Sequence, residues 1–299
     1  MKTLAIIPLP GNLETDTATE KALREVAHGA SDIALIFTGH LPQHTNAKEG
    51  FKAFQSFLIS IYHLLVNSRQ DKSEWWGGNI DVWFDAFWDA DWMHTARLSQ
   101  WDVLYSTPAI LNSAKGSNID DIPSKRVIDG LQGPEEVSSS ATSQRRQGVL
   151  QTVALGGTFD HLHAGHKVLL TLAVYLSTKR VVIGVSGPAL LTRKNNPETL
   201  ESIHARQAAV DAFVRRLAPT LDYDIFALDD VYGPTATDAD IDGIVVSTET
   251  LSGSEAINSK RKENKIKELD VFVINLVDQT AELKLSSSEI RRYLSKADE

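Results

Sequence analysis

The stretch that most restricts this chain is Val153 to Leu170, VALGGTFDHLHAGHKVLL. An apolar run, a polar turn and a second apolar run at helical spacing follow without a break, which predicts a strand, a tight corner and a helix start. The first turn of a helix presents unpaired N–H groups and the positive end of the helix dipole, so the corner favours anions, phosphate above all. Gly156 and Gly157 let the backbone approach a ligand where a Cβ would stand in the way, and Gly165 does the same across the turn. Thr158 offers a hydroxyl, while His163 and His166 offer imidazole N–H groups to phosphate oxygens. Phe159 and Asp160 complete the turn, and His161 reads as loop. Three His this close also admit a metal, but an acidic third ligand is not assured and the turn serves phosphate better.

Around that corner the second half of the chain alternates regularly. Strands are predicted at Thr152–Leu155, Val181–Val185, Asp224–Leu228, Ile244–Ser247 and Val271–Leu276. Between and after them, helices are predicted at His166–Thr178, Pro197–Leu217, Ser254–Leu269 and Ser286–Ser295. Five short β-branched strands separated by helices imply an α/β fold, a doubly wound parallel sheet with right-handed crossovers. Ligands of such sheets bind beyond the carboxyl ends of the strands. The GTFD turn, the loop Ser186–Lys194, Asp230–Pro234 and Ser247–Gly253 all lie there. Near the terminus, Ser286, Ser287 and Ser288 open a helix and bring hydroxyls and free N–H groups suited to phosphates. A plain helix cap completed by Glu289 would explain the same serines.

At 299 residues two domains are expected. The first half also alternates strand and helix, with strands at Leu4–Leu9, Ile33–Phe37, Ile80–Phe84 and Val103–Tyr105 and helices at Thr17–Ala27 and Phe51–Leu65. All six Trp fall between positions 75 and 101, a pattern more often core than exposed docking surface. The run from Leu131 to Gly148 is polar and Ser-rich, a linker. The expected organisation is therefore an N-terminal α/β domain over 1–130, a linker over 131–148 and a catalytic domain over 149–299.

GTFDxxHxGH resembles the signature of the nucleotidyltransferase superfamily related to class I aminoacyl-tRNA synthetases, and LSSSEIRR resembles its second signature. With GPALLTRKNNPETLESIHARQ, DDVYGPT and IVVSTETLSGSEAINSKR, residues 150–295 resemble the eukaryotic-type phosphopantetheine adenylyltransferases. That resemblance implies a Rossmann-like fold and transfer of AMP from ATP to 4′-phosphopantetheine, with Mg²⁺ held mainly by ATP phosphates. It implies catalytic roles for Thr158, His166 and Lys194, the last also contacting the acceptor phosphate. Arg206, Tyr232 and Gly233 fall on the acceptor side. Ser247, Glu249 and Thr250 fall on the nucleotide side, where Asn258 and Arg261 continue the block. Gly156, Gly157, Phe159, Asp160, His163, Gly165, Ser286, Ser287, Ser288 and Arg291 form the ATP cradle. Val231 stands where the family's turn has Pro. The kinase-type GxxxxGK[ST] loop of the fused animal form is absent from the sequence, which suggests the monofunctional fungal arrangement.

The formal charge of −9 argues against a nucleic-acid partner or an acidic membrane surface. The absence of Cys rules out disulfides and thiolate metal sites, and no apolar run approaches the roughly 20 residues of a membrane span. With no signal-peptide pattern at the N-terminus, the expected location is the cytoplasm. Residues 1–130 leave three roles open: assembly with other coenzyme A enzymes, support of the catalytic domain, or binding of a regulator. The alternatives are a cytidylyltransferase or another adenylyltransferase of the same superfamily, and a non-catalytic scaffold subunit of a coenzyme A synthesising complex; the cytidylyltransferases end in RTxGIST, which KLSSSEIRR is not.

Overall fold

The computed structural model describes residues 1–42, 46–69, 76, 78–88, 100–131, 148–192, 196–275 and 287–297. The chain forms two compact units, Met1–Thr45 with Ser56–Arg146, and Asn46–Gln55 with Gln147–Glu299. Residues 46–55, the start of a long helix, thus group with the second unit.

The first unit holds β1 (Lys2–Pro8), α1 (Thr17–Ala27), β2 (Asp32–Thr38), β3 (Ile80–Phe84), β4 (Val103–Ser106), α3 (Pro108–Ser113) and β5 (Ser124–Val127); α2 (Ala47–Ser68) enters it from residue 56. The strands are all parallel in the order β3-β2-β1-β4-β5. The central strands β1 and β2 are buried almost end to end, as parallel strands covered on both faces must be. In α2, Phe54, Leu58, Ile61 and Leu65 recur at helical spacing and are all fully buried. Of the Trp cluster, Trp83 and Trp101 are core residues, and Trp83 packs its ring 5.8 Å from that of Trp88. Trp75 and Trp92 lie outside the described residues.

The second unit runs β6 (Leu150–Gly157), α4 (Ala164–Leu176), β7 (Ser177–Ser186), α5 (Ile203–Leu217), β8 (Asp222–Leu228), β9 (Gly243–Ser247), α6 (Leu251–Glu263), β10 (Asp270–Ile274) and α7 (Ser287–Ala297). Its parallel sheet has the order β10-β9-β6-β7-β8. Numbered within its own unit and read from the opposite edge, that order is 3-2-1-4-5, the same as in the first unit. The order reverses beside β6, so β6 and β9 flank the crevice where a ligand of such a sheet binds. Ala154, Val182, Ile244, Val246 and Ile257 form one core cluster beneath it.

Two expectations need correction, and one strand was not expected. The helix expected over Pro197–Leu217 is interrupted: Asn196 is left-handed at φ 50°, Pro197–Thr199 makes one tight turn, Leu200 is extended, and α5 starts only after Ser202, whose hydroxyl caps the N–H of Ala205 at 3.1 Å. The helix expected over Ser254–Leu269 starts earlier and stops at Glu263, where Lys265 turns left-handed at φ 58°. β5 carries no apolar pattern in SKRV because it is an exposed edge strand. Among the described residues no helix is long and apolar enough to cross a membrane.

Candidate active site

The corner after β6 is built by two left-handed residues, Phe159 at φ 51° and His161 at φ 47°, which turn the chain from the strand into α4. Phe159 is fully buried and its ring lies 5.2 Å from that of His166. A Cβ on Gly157 would sit 3.1 Å from the Phe159 ring, so that glycine makes room for an internal neighbour; Gly156 has only ordinary contacts around it. Gly165 is a buried residue in the first turn of α4.

His163 occupies the cap position of α4, and its Nδ1 accepts the backbone N–H of His166 at 3.4 Å. Its ring stacks on that of His166 with centroids 3.8 Å apart. Burial, with the nearby charges of Lys167 and His161, pushes the His163 imidazole down to about 3, so it is neutral at pH 7. Because Nδ1 is an acceptor, the ring proton resides on Nε2. His166 and Thr158 are both half-buried at this corner.

A buried polar network holds the corner to its surroundings. Asp160 is fully buried; one oxygen accepts from the Arg291 Nη1 of α7 at 2.6 Å and the other from the N–H of Glu201 at 2.9 Å. Arg291 also donates Nη2 to the Ser288 hydroxyl at 3.0 Å. The Glu201 carboxylate accepts the N–H of His161 at 2.6 Å, and the His161 ring contacts the carbonyl of Thr199 at 2.8 Å. Arg206, 2% exposed, donates to three backbone carbonyls: Thr158 at 2.7 Å, Ser186 at 2.9 Å and Glu201 at 3.0 Å. Burial pulls its pKa down while the charges of Asp160 and Glu201 oppose that shift.

The remaining expected residues sort by the element that carries them. Tyr232 and Gly233 form a turn at the end of β8 in which the Asp230 carboxylate accepts both their N–H groups, at 2.8 and 2.9 Å, and is held below the usual carboxylate range by them. Gly233 is left-handed at φ 49°, and the Tyr232 ring is exposed. At the end of β9, Ser247 and Thr250 cap each other, with the Ser247 N–H 3.1 Å from the Thr250 hydroxyl, while Glu249 and Thr250 face solvent. Asn258 and Arg261 turn inward instead. Asn258 brackets Leu269 through both its N–H and C=O, and fully buried Arg261 donates to the carbonyls of Thr235, Asp238, Ile241 and Lys267. Ser287 and Ser288 open α7, the former half-buried and the latter exposed. Lys194 and Ser286 lie outside the described residues.

Glu201 was not singled out from sequence. Its one visible signal is its place immediately before a Ser cap, which an exposed helix-start acid shares.

Residues 154–293 match the family model of cytidylyltransferase-like proteins. An uncharacterized protein of Schizosaccharomyces pombe is 41% identical over 151 residues, covering 48% of this chain and 48% of that one. The phosphopantetheine adenylyltransferase of Saccharomyces cerevisiae is 35% identical over 175 residues, covering 57% of this chain and 54% of the yeast protein. That of Methanothermobacter thermautotrophicus is 36% identical over 140 residues, which make up 82% of its length. This chain belongs to the phosphopantetheine adenylyltransferase family. It spans about half the length of the two fungal relatives it matches and most of the archaeal one. The family match covers the second unit's sheet from the middle of β6 onward and the corner described above; the first unit's sheet lies outside it.

Proposed function

We propose that this chain transfers AMP from ATP to 4′-phosphopantetheine, forming dephospho-coenzyme A and releasing pyrophosphate. In that reaction a phosphate oxygen of the acceptor forms a bond to the α-phosphorus of ATP while the bond to the bridging oxygen of pyrophosphate breaks. The acceptor phosphate is already ionised at neutral pH and needs no general base, so the rate comes from positioning and charge stabilisation.

The observation that carries this reading is the start of α4 at the switch point of the sheet, where the His166 ring stacks on that of His163 and lies 5.2 Å from that of buried Phe159, with Thr158 directly after β6. His166 donates to the phosphate oxygens as negative charge moves towards the leaving pyrophosphate, and Thr158 adds a hydroxyl. His163, neutral and protonated on Nε2, serves as a donor that carries no charge. Lys194 stabilises the transition state and holds the acceptor phosphate. Tyr232 and Gly233 border the acceptor, while Ser247, Glu249 and Thr250 border the nucleotide. Ser286, Ser287 and Ser288 meet the β and γ phosphates.

Mg²⁺ would screen the charge of the triphosphate. Among the described residues no three His, Asp or Glu side chains gather to hold a metal, and Asp160, the carboxylate of the corner, is committed to Arg291 and Glu201. Such a site fits an ion that arrives on ATP oxygens and water. The setting we propose is the cytoplasm, in company with other coenzyme A enzymes.

The test is pyrophosphate release by the full chain with ATP and 4′-phosphopantetheine, set against CTP with phospho-alcohols. Turnover with the first pair alone is expected. His166→Ala is expected to lower kcat by at least about a hundredfold, the scale of a lost transition-state donor, with ATP binding largely kept. Near-normal turnover in that variant would falsify the assignment of His166.

A further inference from the structure

In the reading above Arg291 belongs to the element that meets the ATP phosphates, where an arginine ordinarily acts as a free cation. Its surroundings give it a different task. The Arg291 side chain is 1% exposed and that of Asp160 is 0% exposed, with their closest atoms 2.6 Å apart, so the guanidinium charge is matched by a carboxylate inside the fold. The same planar group reaches back along α7, donating Nη2 to the exposed Ser288 at 3.0 Å. A serine hydroxyl has one proton and two lone pairs. With a lone pair taken by a charged donor, the Ser288 proton is left to be given to an acceptor outside the pair, and the donor's charge makes it a better one.

We propose that Arg291 is a positioning residue that serves the nucleotide phosphates through Ser288, and that Asp160 commits it to that task. The chain Asp160–Arg291–Ser288 joins the corner after β6 to the first turn of α7, two segments 131 positions apart in sequence at their ion pair. Its ligand is a phosphate oxygen of ATP, so the inference rests on the adenylyl-transfer reading. The guanidinium is essential because its fork addresses the carboxylate and the hydroxyl at once in fixed directions; an ammonium keeps the charge and loses the second direction.

The experiment is a double-mutant cycle in the full chain with Ser288→Ala, Arg291→Lys and both together. ATP affinity is read by calorimetry, and KM for ATP and kcat by pyrophosphate release. Each single variant is expected to stay folded and to weaken ATP by about tenfold, the scale of one charge-assisted hydrogen bond. The double variant is expected to lose no more than the worse single, because both remove one interaction. Losses that multiply, or an unchanged ATP affinity in Arg291→Lys, would overturn the inference, since a residue that only stabilises the fold lowers melting temperature without coupling to Ser288. If the unmutated chain binds ATP but releases no pyrophosphate with 4′-phosphopantetheine, the acceptor assignment falls while the ATP cycle still decides this point. If it binds no ATP at all, both fall.

Discussion

His163 shows how one side chain sets a property of the whole protein. Its imidazole is 3% exposed and its pKa lies at about 3, against about 6.5 in an unfolded chain. Between those values the unfolded chain binds a proton that the folded chain does not, so the stabilisation is complete above pH 6.5 and is lost as pH falls towards 3. Over that window this one residue makes stability fall as pH falls, because the unfolded chain takes up a proton that the folded chain does not. His163→Asn, which retains a capping side chain, is expected to flatten that part of the curve; denaturant melts of both proteins from pH 7 to pH 4 measure it, and parallel curves would refute it. Arg261 gives the complementary case. Removing its guanidinium in Arg261→Met leaves the carbonyls of Thr235, Asp238, Ile241 and Lys267 without their buried donor, a loss of about 3–5 kcal/mol visible as a lowered denaturation midpoint.

Among elements, the sheet of the second unit is tightest at Gly243, the first residue of β9. A Cβ there would lie 2.6 Å from Leu150 and 2.9 Å from the carbonyl oxygen of Asp270, and the backbone atom cannot move without breaking register with β10. Gly243→Ala is expected to cost about 1–3 kcal/mol, read by thermal or urea unfolding, with no group of the crevice altered. The strands that the sequence made visible, such as β6 and β9, are those whose apolar runs face cover on both sides. β5 escaped notice because an edge strand needs no apolar pattern, and the break before α5 escaped it because helix propensity continues through Glu201. The same division governs the site. Thr158, His163 and His166 stand at one strand-to-helix corner, so their spacing alone places them together. Asp160 with Arg291, and Arg206 with its three carbonyls, are joined only after the chain has folded, and a charge on a helix gives no advance notice that it will be buried.

At the scale of the molecule, two sheets share one strand order, and each first helix begins with a side chain capping the third helical residue: His163 to His166 in the second unit, Asp16 to Thr19 at 2.7 Å in the first. The parallel ends there. Where the second unit presents two imidazoles, the first presents a carboxylate held below the usual range by the Thr19 N–H, and a hydroxyl-bearing residue that is buried. A negative charge at that helix start opposes phosphate. Calorimetric titration of the full chain is therefore expected to give one equivalent of ATP per chain, and a second equivalent of similar affinity would show that the first unit holds a nucleotide site of its own.

The crowding of every tryptophan into positions 75–101 has a practical result. Indole emission therefore originates in the first unit, and the second can be followed separately through ligand heat or turnover. Unfolding watched through both signals separates the two units without cutting the chain: coincident midpoints mean that they melt together, and distinct midpoints assign each transition to its own sheet.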